Sequence, residues 1–295
     1  MNLVVLPVII PLFATGLALL AITSLTAQRL IALAGNSAAL ASAVALLVTV
    51  EGDGIQAHTI GSWPAGVGIT LVADLAAAMF LVVSLVVIVV VQLFAIGQNI
   101  DAGRPRIGQP VYLVLCGGVS LSFLTGDLFN LFVAFEVMLI ASYVLLTLGA
   151  GAQQIRSGMT YVVINVLAST LLLSTVGLIY GATGTVNMAE LVTRFAELPT
   201  ATRNALGLLL ISVFAIKAAL FPFFFWLPDS YPTAPVAVTA VFAGLLTKVG
   251  IYTLIRATTI LDLDDARWVL VMAASLTMVV GVVGAIVQSD IKRIL

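Results

Sequence analysis

The sequence predicts an all-α, multi-pass membrane protein, on three observations. Of the 295 residues 62% are hydrophobic, only 8% are charged, and apolar stretches recur along the whole chain. A soluble domain carries about 25% charged residues, so the deficit is large. The stretches are roughly 20 residues long, which at 1.5 Å per residue crosses about 30 Å of hydrocarbon. The net charge of −1 offers no basic surface to nucleic acid. With Cys116 the only cysteine and His58 the only histidine, a disulfide framework, a zinc cluster and iron–sulfur ligation are all excluded. No cofactor is expected, and any redox centre would belong to another chain.

Spans are expected at 3–23, 29–50, 70–97, 110–125, 128–149, 158–181, 205–227, 235–258 and 268–288, about nine in all, with a tenth starting at Ile291. Residues 1–8 lack Lys and Arg, and the first run is too long for a cleaved signal core, so it reads as a retained span. The 51–69 loop has five glycines and Pro64, which favour turns or a small hairpin. His58 within it reads as an ordinary surface histidine, although it titrates near neutral pH. Asp74 opens the third span as a helix-start acid favoured by the dipole. Only Gly126 and Asp127 part the fourth and fifth spans, which predicts a tight helical hairpin with Asp127 solvated or capping. Gly117, Gly118 and Ser120 permit close backbone approach there.

In 187–198, Met188, Leu191, Val192 and Phe195 recur at helical spacing, with Glu190 and Arg194 four apart. This predicts a short amphipathic helix on the membrane surface. The seventh span ends in FPFFFWLP; Pro222 removes a backbone N–H and frees the carbonyl of Ala218, as a kink or as a true break beside Lys217. PDSYPTAP is stiffened by three prolines, and Pro235 reads as the first residue of the eighth span. With the N-terminus outside, Arg29, Arg104, Arg106, Arg156, Lys292 and Arg293 fall inside, against Arg194, Arg203, Arg256 and Arg267 outside. The helix starting at Ile291 has no polar tail or stop signal, and is expected to continue into a larger membrane domain.

Three ionisable residues lie deep in apolar spans: Glu136, Lys217 and Lys248. Each costs roughly 2.5–3.5 kcal/mol at a helix centre, which selects against idle charge. Phe132, Val133, Leu139 and Ile140 flank Glu136 at helical spacing, and Val213, Phe214, Leu220 and Phe221 flank Lys217. Any partner must therefore come from another helix or from trapped water, and a buried Glu–Lys pair would suit proton transfer. The bland alternative is a buried ion pair that only fixes packing. Tyr143, Tyr161, Asn165, Thr170, Thr247 and Tyr252 offer hydroxyl or amide steps, although such groups more often serve as helix–helix hydrogen bonds.

Two long stretches, GDLFNLFVAFEVMLIASYVLL and KAALFPFFFWLPDSYPTAPVAVTAVFAGLLTKVGIY, resemble the proton-translocating antiporter-like family. WPAGVGITLVAD and TGTVNMAEL extend the likeness over nearly the whole chain. That family comprises membrane subunits of NADH:quinone oxidoreductase and of the multisubunit Na⁺/H⁺ antiporter Mrp or Mnh. The resemblance implies an antiporter-like fold of fourteen helices in two inverted five-helix repeats. This chain would supply helices 1–3 in residues 1–109, the first repeat with its proton half-channel in 110–258, and the start of the second in 259–295. It implies a proton path through Glu136, Lys217 and Lys248, with Pro222 breaking the seventh helix; Asp74, Tyr143, Thr247 and Tyr252 are accessory candidates. Phe224 stands where the quinone-reductase relatives usually carry histidine, which points to the antiporter branch. The lysine or glutamate expected on a twelfth helix lies beyond these residues.

The function implied is a plasma-membrane subunit of a hetero-oligomeric antiporter that exchanges protons for Na⁺ or another monovalent cation. Its partners would be companion subunits, the two ions and the lipid bilayer. The alternatives are a proton-pumping subunit of a respiratory oxidoreductase, and a scaffold that transports nothing.

Overall fold

Polar caps set many of the helix starts. The computed structural model describes residues 2–63, 68–101, 103, 105–149, 151–261 and 267–294. Helix α1 is Leu6–Leu20; α2, Leu25–Asp53, is capped by the Ser24 hydroxyl; α3, Leu75–Gly97, by Asp74. Helix α4 is Gly108–Leu124, and α5, Leu128–Thr147, is capped by Asp127, which accepts from the Asn130 N–H at 2.8 Å. Helix α6 is Ala152–Thr183, and α7, Met188–Ala196, is capped by Asn187. Helix α8 is Thr200–Lys217, followed by short turns that include α9, Leu227–Ser230. Helix α10, Val236–Val241, passes through a π-turn at Phe242–Leu246 into α11, Thr247–Leu261. Helices α12, Arg267–Ile286, and α13, Ile291–Ile294, follow.

Among the described residues eight helices are long and apolar enough to cross a membrane; α4 is apolar but shorter. Buried on nearly all sides, α4 packs on α1, α3 and α5. A Cβ on Gly118 would lie 2.9 Å from the Met138 nitrogen, so the α4–α5 hairpin closes as expected. Helix α12 is the opposite case, with none of its apolar window buried.

The two ends of the bundle are held differently. At one end β1, Gln56–Thr59, pairs antiparallel with β2, Thr70–Ala73, in the small hairpin expected of that loop. His58 lies on β1 opposite Leu71; residues 64–67, including Pro64, lie outside the described ones. Backbone bonds extend the pairing: Gly126 N–H to Thr70 O, Leu128 N–H to Val186 O and Met188 N–H to Gly126 O, each 2.9 Å. Helix α7 has the expected amphipathic pattern, but Leu191 and Phe195 are buried against protein, with α11 and α6 as neighbours. The expected Glu190–Arg194 pair does not form. Glu190 accepts from the Thr185 hydroxyl at 2.6 Å, and Arg194 reaches Glu197 at 3.6 Å.

At the opposite end, side chains do the joining. Asn36, Gln92 and Gln109, from α2, α3 and α4, form a buried amide series that ends on Asp101, which is ion-paired to Arg29. Such amides join helices where apolar packing alone gives little preference. Burial works to raise the Asp101 carboxyl, but bonds from Arg29 and Gln109 outweigh it and hold it below the ordinary carboxylate range.

Candidate functional site

The break after α8 is made by a helix-stop motif, not by Pro222. Leu220 N–H bonds to Ala215 O at 3.0 Å and Ala219 N–H to Ile216 O at 3.1 Å, the paired bonds of a Schellman motif. Ala219 takes the left-handed position, φ +54°, where glycine usually sits. The helix therefore ends at Lys217, ten residues before the expected end of the span at 227, and Pro222 follows in the non-helical segment. Two side chains bond to the backbone around the stop. The Trp226 indole N–H reaches back to Ile216 O at 3.2 Å, and Thr277 Oγ1 of α12 accepts from Phe221 N–H at 2.9 Å. Phe224 stacks on Phe221 in the same segment. Helix α11 crosses at Gly250, where a Cβ would lie 2.6 Å from the Ala218 nitrogen.

Lys217, at the end of α8, is 4% exposed. Its ammonium donates to Ser169 Oγ at 2.9 Å and to the Asn165 carbonyl at 3.3 Å, both on α6, and lies 5.4 Å from the centre of the Phe135 ring. Glu136, the residue after Phe135, is half-buried, with Oε1 buried and lacking any hydrogen-bond partner. The expected Glu136–Lys217 contact is thus open: the cation is docked on neutral oxygens of α6, and the carboxylate is left waiting on α5. Asn165 takes part through its backbone carbonyl, while its amide bonds to Tyr161 O. Ser169 had no distinguishing signal in the sequence beyond lying four residues after Asn165, on the same helix face.

Tyr143 belongs to an aromatic group. Its ring meets Tyr161 edge-on at 5.4 Å, and Tyr161 also packs on Trp226, Tyr231 and Phe242. The Tyr161 hydroxyl hydrogen-bonds with Ser142 Oγ at 2.9 Å.

Lys248 was expected inside the membrane domain, but it is exposed on this chain and donates to Ala243 O. A π-turn, Phe242–Leu246, lies immediately before it. Thr247, at the same junction, is buried.

Asp74 and Tyr252 come together, away from Lys217. Asp74 caps α3 as expected, accepting from Ala77 N–H at 2.8 Å, and is ion-paired to Arg256. Arg256 donates to the Tyr252 hydroxyl, which itself donates to Phe123 O, both at 2.9 Å. Burial works to raise the Asp74 carboxyl, and the Arg256 and Ala77 donors overcome it and hold it below the usual range. Asp127, buried without a cation, is pushed up. A cavity of about 80 Å³, lined by Gln92, Asp101, Gln109 and Tyr112 among others, lies at the amide series and holds none of the expected site residues.

Eight long apolar helices among the described residues, with a helix that stops at a buried lysine, define the class as a polytopic membrane protein. The chain belongs to the family described as NADH:quinone oxidoreductase/Mrp antiporter, transmembrane, which matches residues 125–295. It is 44% identical to a protein of Alkalihalophilus pseudofirmus named as a Na(+)/H(+) antiporter subunit, over all of this chain and 60% of that protein. A chain in the structure of the Mrp complex from Dietzia sp. superposes with a TM-score of 0.91 at 35% identity, covering 99% of this chain and 55% of that one. A chain of an archaeal respiratory complex, the membrane-bound sulfane sulfur reductase, superposes at 0.90 with 28% identity, covering 99% and 61%. The chain spans about 60% of the length of the curated relatives it matches.

Proposed function

We propose that the chain is a plasma-membrane subunit of a multisubunit antiporter that exchanges protons for a monovalent cation, and that it carries a proton path through Glu136, Lys217 and Lys248. The observation that supports this most directly is the Lys217 ammonium, buried at a helix stop and held only by neutral oxygens. A buried ammonium held by neutral oxygens is costly, so a move of Lys217 onto Glu136 offsets that cost while giving up the bonds to Ser169 and Asn165. Charge arriving nearby tips the balance between the two positions, and a proton leaving Lys217 resets it. Lys248, on the far side of the α8–α11 crossing, receives that proton and faces the surface available to the rest of the complex. On this reading 1–109 supports the half-channel, 110–258 forms it, and 259–295 opens the second repeat. Inward protons release about 2.3 kcal/mol per 100 mV for each net charge, so the exchange must be electrogenic to use the membrane potential.

The likeness to the sulfane sulfur reductase chain supports a second reading, a proton-pumping subunit of a respiratory complex. Phe224 in place of histidine favours the antiporter. The test is cation-induced collapse of ΔpH in everted vesicles from antiporter-deficient cells carrying the complete gene set. Glu136→Gln and Lys217→Ala are expected to abolish exchange at matched assembly. Retained exchange would leave the chain as scaffold, and absence of exchange in wild type with any monovalent cation would favour the respiratory reading.

A further inference from the structure

The segment after α11 grips the break at both of its ends. At one end, Thr277 of α12 accepts the Phe221 N–H, a donor left without a helical partner by the stop at Lys217. At the other, Lys292 of α13 donates to Pro232 O at 3.3 Å and to Ala234 O at 3.0 Å. Gln154, from the start of α6, takes the carbonyl between them, Thr233 O, at 3.1 Å. Three consecutive carbonyls of a proline-stiffened loop are thus held by two long side chains. Between the grips runs an unbroken set of contacts. Tyr231, next to Pro232, packs on Trp226 at 5.7 Å and on Phe242 at 5.4 Å, and Trp226 donates to the carbonyl of Ile216, the residue before Lys217.

We infer that Lys292 is a positioning residue for Lys217: its ammonium fixes the 229–235 loop, and through Tyr231 and Trp226 fixes the backbone from which Lys217 reaches either Ser169 or Glu136. The position of α12 and α13 is thereby transmitted to the first half-channel along the inner loop, apart from any route through Lys248. A neutral side chain of similar length fills the space but donates more weakly to the two carbonyls, because charge-assisted hydrogen bonds are about twice as strong. Packed aromatic groups transmit such a shift because close-packed interiors do not absorb it. Arg293 serves for comparison: it also touches the loop, at the Asp229 side chain, but its 3.6 Å contact is solvent-exposed on both sides, where ion pairs contribute little, and it holds no carbonyl of the loop.

This inference rests on the proposed proton path, so the experiment includes Lys217→Ala. Exchange is measured in everted vesicles carrying the full complex, with Lys292→Gln, Lys292→Arg, Arg293→Gln and Thr277→Val at matched assembly. Lys292→Gln is expected to lower the maximal rate roughly tenfold, equivalent to about 1.4 kcal/mol, with the apparent KM for the cation unchanged. Lys292→Arg restores most of the rate, Arg293→Gln is as wild type, and Thr277→Val slows exchange in the same manner as Lys292→Gln. A wild-type rate in Lys292→Gln would overturn the inference while leaving the path intact. So would loss of assembly in Lys292→Gln and Lys292→Arg alike with Thr277→Val unimpaired, which marks Lys292 as structural. Full exchange in Lys217→Ala would instead refute the path itself.

Discussion

At the scale of single residues, the environment of Lys217 is governed by one hydroxyl. Hydrogen bonds to charged groups contribute about 1.5–3 kcal/mol, more than neutral ones, so Ser169 is a large part of what keeps the ammonium on α6. Ser169→Ala is expected to slow exchange roughly tenfold or more, and Ser169→Thr to retain it, in the vesicle ΔpH assay. The buried charges themselves were legible in the sequence because charge in an apolar span is expensive and therefore conspicuous. The neutral partners were not, since serines and backbone carbonyls occur on every helix and only the fold selects which of them meet a lysine. Ala219 poses a related question. A left-handed alanine carries a penalty of about 1–2 kcal/mol, and glycine relieves it while losing part of the gain in the unfolded chain. Ala219→Gly is expected to raise the thermal midpoint of the purified protein; a lowered midpoint would show that the methyl group packs more than it strains.

Among the elements, the crossing of α11 over the end of α8 is the closest approach near the site. With a Cβ on residue 250 placed 2.6 Å from the Ala218 nitrogen, and backbone unable to yield as a side chain would, Gly250→Ala should destabilise by about 1–3 kcal/mol. A fall in melting temperature with slower exchange checks it; an unchanged melting point would mean that the two helices are free to part. Helix existence was readable from hydropathy almost throughout, and so were the caps at Asp74 and Asp127, because these are local properties. The helix stop and the π-turn were not. Neither changes composition: a Schellman stop on alanine and one inserted residue in FAGLL look like continuous apolar helix. Pro222 drew the eye to the right segment but to the wrong residue. Lys248 was read from its depth in an apolar span, which does not tell which face of the helix a residue occupies, and it lies on the surface of the chain.

For the molecule as a whole, acid titrates the two ion pairs that tie its ends together. Asp74 and Asp101 are both held below the ordinary carboxylate range, so each contributes stability that is fully present above its unfolded pKa, about 3.9, and is lost as pH falls through its folded value. The purified protein should therefore keep its melting temperature from pH 7 to about pH 4 as far as these pairs decide it, and lose it below. In Asp74→Asn/Asp101→Asn that acid-dependent loss should shrink; an identical acid profile would show that other groups carry it. The contrast between the two ends has a mechanical side as well. One end is sewn by main-chain bonds across residues 70, 126 and 186–188, which bend little, whereas the other is tied by long, rotatable side chains. Such fastening predicts that the stitched end is the stiffer of the two. The amides of Gly126, Leu128 and Met188 should then exchange with deuterium far more slowly than those of 229–235.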